Sequence, residues 1–219
     1  KAGDTTKVES TLFSIYGAQQ LPSNFFVQGI VSFSSSRVRN YEKRIINLTL
    51  DQTAVGKYNS TSYSGEVLGG YRYILPDTHT VLTPMLGLRY AKFNDSGYTE
   101  TGTNRRNMSV SKKSVDKIEG VVGGRASLTS QIKDVLLMPE VHGFVSYNFK
   151  GKAPKVDARL NGALAPMPTK TSKPEKTFVN LGTSLTVKYR MMEYGFGYDA
   201  YLAKKYISHQ GSLKVRVNF

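Results

Sequence analysis

The sequence contains no cysteine, so it has neither a disulfide framework nor thiolate chemistry, and a small cysteine-stapled fold is excluded. Tryptophan is absent too, which leaves Tyr and Phe to supply any aromatic belt. No apolar run approaches the roughly 18 residues that cross a bilayer as a helix, so no helical span is predicted. No leader peptide begins at Lys1. For an exported chain, the expectation is that Lys1 is not the N-terminus of the gene product. Acidic side chains are scarce, 16 against 30 Lys and Arg, for a formal net charge of +14. Such a balance points to anionic partners: nucleic acid, lipid or acidic surfaces.

What is present is alternation. In Gly211–Phe219, Leu213, Val215, Val217 and Phe219 are apolar, whereas Ser212, Lys214, Arg216 and Asn218 are polar. Side chains of a strand point to opposite faces, so one face is apolar and the other charged. Eight further segments repeat the pattern. Phe25–Phe33 sets Val27 and Val31 against Gln28 and Ser32, with Phe26 and Ile30 as exceptions. Tyr63–Tyr73 sets Val67 against Glu66 and Arg72; Leu82–Tyr90 sets Leu86 against Arg89. Ile118–Leu128 opposes Val122 to Glu119 and Arg125, and Val135–Phe149 opposes Val141 to Glu140 and His142. Val179–Tyr189 carries Lys188, Met192–Leu202 carries Glu193 and Asp199, and a blurred segment covers Ser10–Gln20. These segments match or exceed the roughly 9–11 residues of a membrane-spanning strand, whereas soluble strands average about 5–6. The fold class predicted is all-β, an antiparallel transmembrane β-barrel.

The joints alternate as well. Leu21–Asn24, Leu75–Thr78, Gln131–Asp134 and Tyr189–Met191 are tight, whereas Val38–Tyr58, Asp95–Ser114 and Lys150–Thr177 are long and Ala203–His209 intermediate. Outer-membrane barrels show this asymmetry, with short periplasmic turns and long outer loops. Basic residues crowd the long joints: Arg37, Arg39, Lys43 and Arg44, then Arg105, Arg106, Lys112 and Lys113, then Lys150 to Lys176, then Lys204 and Lys205. They read either as solvated loop charge or as a face for lipopolysaccharide. Nucleic-acid binding would need aromatics interleaved on the same platform, and none are found. Nine strands is an odd number, while bacterial single-chain barrels are even, and an open sheet would expose two edges to hydrocarbon. An odd number of N-terminal strands is therefore expected upstream, making 1–219 an N-terminally truncated barrel domain.

The inward charges predicted are Glu66, Arg72, Arg89, Glu119, Arg125, Glu140, Lys188, Glu193, Asp199, Lys214 and Arg216. They serve either as structural ion-pair ladders or as contacts for a segment in the lumen. Glu140 and His142 are too few ligands for zinc. With Ser146 they form no nucleophile–base–acid arrangement. No metal, cofactor or catalytic residue is expected.

MMEYGFGYDAYLAKKYISHQGSLKVRVNF resembles the end of an autotransporter translocator domain, of the rickettsial surface-antigen group that includes the outer membrane protein B type. KVESTLFSIYG, SYSGEVLGGYRY, LTPMLGLRY, VLLMPEVHGFVSY and DARLNGALAPMPT resemble its successive strands and last large loop. The resemblance implies a twelve-stranded barrel of which this chain supplies the last nine strands, with three strands and a lumen helix upstream. It further implies a monomer in the Gram-negative outer membrane with its C-terminus periplasmic and long loops outside, exporting its own N-terminal passenger. Gly211, Leu213, Val215, Val217 and Phe219 would then be the signal read by the outer-membrane insertion machinery. The competing readings are a porin-like or adhesin barrel acting through its basic loops, and a barrel-embedded hydrolase dependent on His142.

Overall fold

A computed structural model describes residues 4–47, 50–76, 78–103, 106–150, 157–161, 163, 167–168, 175–204 and 206–217. Nine long strands form one antiparallel path in chain order: β1 (Thr5–Gln20), β2 (Phe25–Asn47), β3 (Leu50–Tyr71), β5 (Thr80–Asp95), β8 (Lys113–Leu128), β10 (Val135–Asn148), β13 (Thr177–Tyr189), β14 (Met192–Ala203) and β15 (Tyr206–Val217). Short β4 (Tyr73–Ile74) and β9 (Ser130–Ile132) pair with β5 and β10. The sheet curls into a half-barrel. Among the described residues, β1 pairs only with β2 and β15 only with β14, so the sheet is open.

The alternation puts the apolar set on the outer face, in the open: Leu86 is 70% exposed, Leu213 71% and Val122 60%. Val141 and Val217 are exposed as well. A soluble barrel would bury these residues; here they form an unbroken outward coat. On β2 and β3 the coat lies between two aromatic pairs, Phe25–Tyr71 and Phe33–Tyr63, with ring centroids 4.9 and 5.2 Å apart. From Phe25 to Phe33 is about 27 Å of strand, or about 21 Å of height at a tilt near 40°, close to the apolar band of an outer-membrane barrel.

The tight turns use left-handed backbone: Ser23 (φ 57°), Asn24 (φ 64°), Lys133 (φ 53°) and Arg190 (φ 51°). Asn tolerates that region best, since its short side chain can hydrogen-bond locally.

The long joints differ from expectation. Val38–Tyr58 is no loop: β2 runs on to Asn47 and β3 starts at Leu50, paired through Arg44↔Gln52. The two later joints contribute β6 (Tyr98–Thr99), β7 (Met108–Val110), β11 (Asp157–Leu160) and β12 (Met167–Pro168), which pair in the order β12-β11-β7-β6. A bridge between Val55 and Thr101 ties this small sheet to β3. Tyr98 lies flat over Tyr58, centroids 5.0 Å apart, and fills the space above Gly56. Burial raises the pKa of both phenols, aided by Glu100 near Tyr98 and Asp95 near Tyr58. Lys1, Lys205 and Phe219 lie outside the described residues, as do several positions of the proline-rich stretch 163–169.

Candidate functional site

The inward face carries the charges in rows set by strand register. Glu66 on β3, Arg89 on β5 and Glu119 on β8 are direct cross-strand partners. The Arg89 guanidinium donates from Nε to Glu66 Oε2 at 2.7 Å, and its Nη1 lies 3.7 Å from Glu119 Oε2. Lys117 Nζ lies 3.7 Å from Glu119 Oε1 and 4.8 Å above the Phe178 ring. Glu119 is only 5% exposed, so two cations compensate a carboxylate that burial would otherwise penalise. These side chains line a pocket of about 370 Å³ on the concave face, together with Arg125, Glu140 and His142.

His142 on β10 reaches across β13 to Asp199 on β14, Nε2 to Oδ1 at 2.9 Å. Gly182 lies beneath it, and any Cβ there would strike the imidazole. Asn180 Nδ2 donates to the same Asp199 oxygen at 3.1 Å, while His142 Nδ1 stands 3.8 Å from Glu140 Oε1. His142 is therefore tied to Asp199, while its Nδ1 stands near Glu140 with no hydrogen-bond partner among the described residues. Among the described residues no three His, Asp or Glu side chains are placed to hold a metal.

The remaining predicted charges divide. Arg72, Arg125 and Glu140 line a neighbouring pocket nearer the tight turns, and Arg72 stacks 5.5 Å from the Phe26 ring. Arg125 Nε is buried and meets no hydrogen-bond partner among the described residues. Glu193 and Arg216 are register partners 3.7 Å apart. Lys188 stands opposite Glu193, and Lys214 opposite Gly195, both exposed. Gly211, Leu213, Val215 and Val217 lie together on the outer face of β15, all exposed. Phe219 lies outside the described residues.

Sequence reading missed an apolar patch on this inward face. Phe26, Leu68, Met85 and Val121 are buried together, with Phe144 against them. Glycines on the next strand make room for the larger members. A Cβ at Gly70 would stand 2.5 Å from the Phe26 ring, one at Gly87 would meet Leu68, and one at Gly123 would meet Phe144. The signal was present in Phe26, noted only as an exception to the alternation, and in the glycine pair Gly69-Gly70.

Among the basic residues of the long joints, Arg44 needs correcting. Arg44 is no part of an exposed basic face: it pairs with buried Glu100, Nη1 to Oε2 at 2.9 Å and Nη2 to Oε1 at 3.0 Å. The same carboxylate accepts from the Met108 backbone N–H at 2.7 Å. Lys150 pairs with Asp116. Arg37 and Arg39 are exposed on the outer face of β2. Arg105, Lys152, Lys155, Lys170 and Lys173 lie outside the described residues.

Comparison with known proteins agrees with this geometry. The autotransporter beta-domain family model matches residues 1–199. Over its whole length the chain is 43% identical to outer membrane protein A of Rickettsia rickettsii across 224 residues. It is 41% identical to outer membrane protein B of Rickettsia conorii across 226. It spans 10% and 14% of the lengths of those two proteins. The translocator domain of autotransporter NalP from Neisseria meningitidis aligns over 98% of this chain and 68% of that one, with a TM-score of 0.68. At 17% identity this last match speaks for the fold alone. With the family model covering most of its length, the chain belongs to the autotransporter beta-domain family.

Proposed function

We propose that this translocator domain anchors and exports an N-terminal passenger of its own polypeptide, as a monomer and without enzymatic activity of its own. The observation that carries the reading is the sorting of faces: an exposed apolar coat outward and a balanced charge row inward. Hydrocarbon solvates the first, and a hydrated bore the second. Unpaired strand edges are not tolerated in lipid, so further strands of the same protein close the sheet at β1 and β15. The tight turns and the C-terminus face the periplasm, and the long-loop end faces outward to lipopolysaccharide. The insertion machinery recognises β15 through Gly211, Leu213, Val215, Val217 and Phe219, by pairing with its free edge.

The test uses the full-length protein with an epitope in the passenger, made in a Gram-negative cell. Protease added to intact cells removes the epitope; after deletion of residues 206–219 the epitope stays protected. Undiminished surface exposure without β15 would overturn the reading.

A further inference from the structure

We propose that the outer face of β1–β3 holds a phosphate-binding site for lipopolysaccharide, built from Arg37, Arg39 and Lys57 with Lys7 at its edge. The inference rests on the outward orientation of the long-loop end proposed above. Lys7, Arg39 and Lys57 are direct cross-strand partners on three successive strands. Arg37 lies two residues along β2 on the same face, between Glu9 and Asn59. All four cations are exposed. Among the described residues no carboxylate comes within ion-pairing distance of Arg37, Arg39 or Lys57, Glu9 included, and Lys7 rests 5.9 Å above the Tyr41 ring. Like charges set directly opposite destabilise a sheet. Three in one row, with a fourth beside them, therefore favour an anion from outside the chain.

Position selects the anion. This face is continuous with the lipid-facing coat, and Phe33–Tyr63 marks the coat's edge. Arg37 stands four residues past Phe33, which is about 10 Å of height for a strand tilted near 40°. Arg39 and Lys57 stand six residues past that pair, about 15 Å up. The headgroup zone adds about 5–8 Å to each side of the hydrocarbon, so the backbone of the row stands just above that zone and its long cationic side chains bend back down onto it. A planar guanidinium suits phosphate, which it can hold through two parallel hydrogen bonds. The neighbouring strands supply an internal contrast. Lys92 sits outward opposite Tyr63, but its partner across β8 is Asp116, which also binds Lys150. There an aspartate already engaged by a second lysine stands opposite the cation, whereas in the β1–β3 row the one opposing carboxylate, Glu9, faces three further cations.

The full-length protein, reconstituted in phosphatidylcholine nanodiscs, is titrated with rough-type lipopolysaccharide and with the same lipid dephosphorylated by hydrofluoric acid. The phosphorylated form binds at least about tenfold more tightly. The triple variant Arg37→Gln, Arg39→Gln, Lys57→Gln loses that preference, and Lys92→Gln stays within about twofold of wild type. Competing inorganic phosphate weakens binding of the phosphorylated lipid to the wild type and not to the triple variant. The proposal is overturned if the triple variant keeps the preference, or if Lys92→Gln loses it equally. It is overturned too if the triple variant loses only binding of a heparin oligosaccharide. Passenger display by the triple variant, read in the protease assay above, stays at the wild-type level. Failure of the lipid site and failure of the export reading are thus separate results.

Discussion

Two charged rows cross neighbouring strands of the same sheet. On the inward face Glu66, Arg89 and Glu119 alternate in sign across β3, β5 and β8. On the outward face Lys7, Arg39 and Lys57 repeat one sign across β1, β2 and β3. Register brings side chains together in both rows with equal indifference to charge. What differs is where the counter-charge comes from. The inward row is half-buried and must balance itself, because an unpaired ion away from water is costly. The outward row faces an environment able to deliver anions.

Breaking the inward balance has the largest expected effect. Glu119→Ala takes the carboxylate from Lys117, leaves Arg89 held by Glu66 alone, and lowers the unfolding free energy by about 3 kcal/mol, read by urea titration in vesicles. A loss below about 0.5 kcal/mol, the range of an exposed pair, would show that water already neutralises this row. Next comes a cation inside the coat. Leu86→Arg costs about 2–4 kcal/mol in a bilayer, whereas Arg37, beyond the aromatic pair, is tolerated; folding yield into vesicles of graded thickness separates the two positions. Gly70→Ala follows, at about 1–2 kcal/mol, because its methyl meets the Phe26 ring. Adding Phe26→Leu to that variant recovers part of the loss.

The smallest effect belongs to the loop-end sheet, where burial rather than charge sets the chemistry. The phenols of Tyr58 and Tyr98 ionise above their ordinary value of 10.0 when folded. Below pH 10 both folded and unfolded states hold the proton and stability is flat. Above pH 10 the unfolded chain loses it first, so the stability of this sheet falls as pH rises. Limited proteolysis between pH 9 and 11 reads the change, and Tyr98→Phe blunts it.

Within the coat the sequence was legible, because lipid outside and water inside impose a strict period of two. Val67 against Glu66, or Leu213 against Lys214, needs no partner to be read. Past the aromatic pairs the outer face meets water instead of lipid, the alternation fades in the sequence, and Val38–Tyr58 looked like a loop although β2 and β3 stay paired there, with Val38 and Ala54 buried on the inner face. The inward apolar patch was hidden for another reason. Phe26, Leu68, Met85, Val121 and Phe144 lie on five strands far apart in sequence, each an isolated member of the patch within a largely polar face.

By itself the sequence determined sidedness: which residues coat the outside, which face the bore, and where the tight turns fall. Only the tertiary structure decided which inward carboxylate meets which cation, that His142 spans to Asp199 over Gly182, and that Arg44 is sealed against Glu100. The physical reason is that side-chain direction is a property of one strand, repeated every two residues. Pairing depends on register between strands separated by tens of residues, which no local pattern encodes.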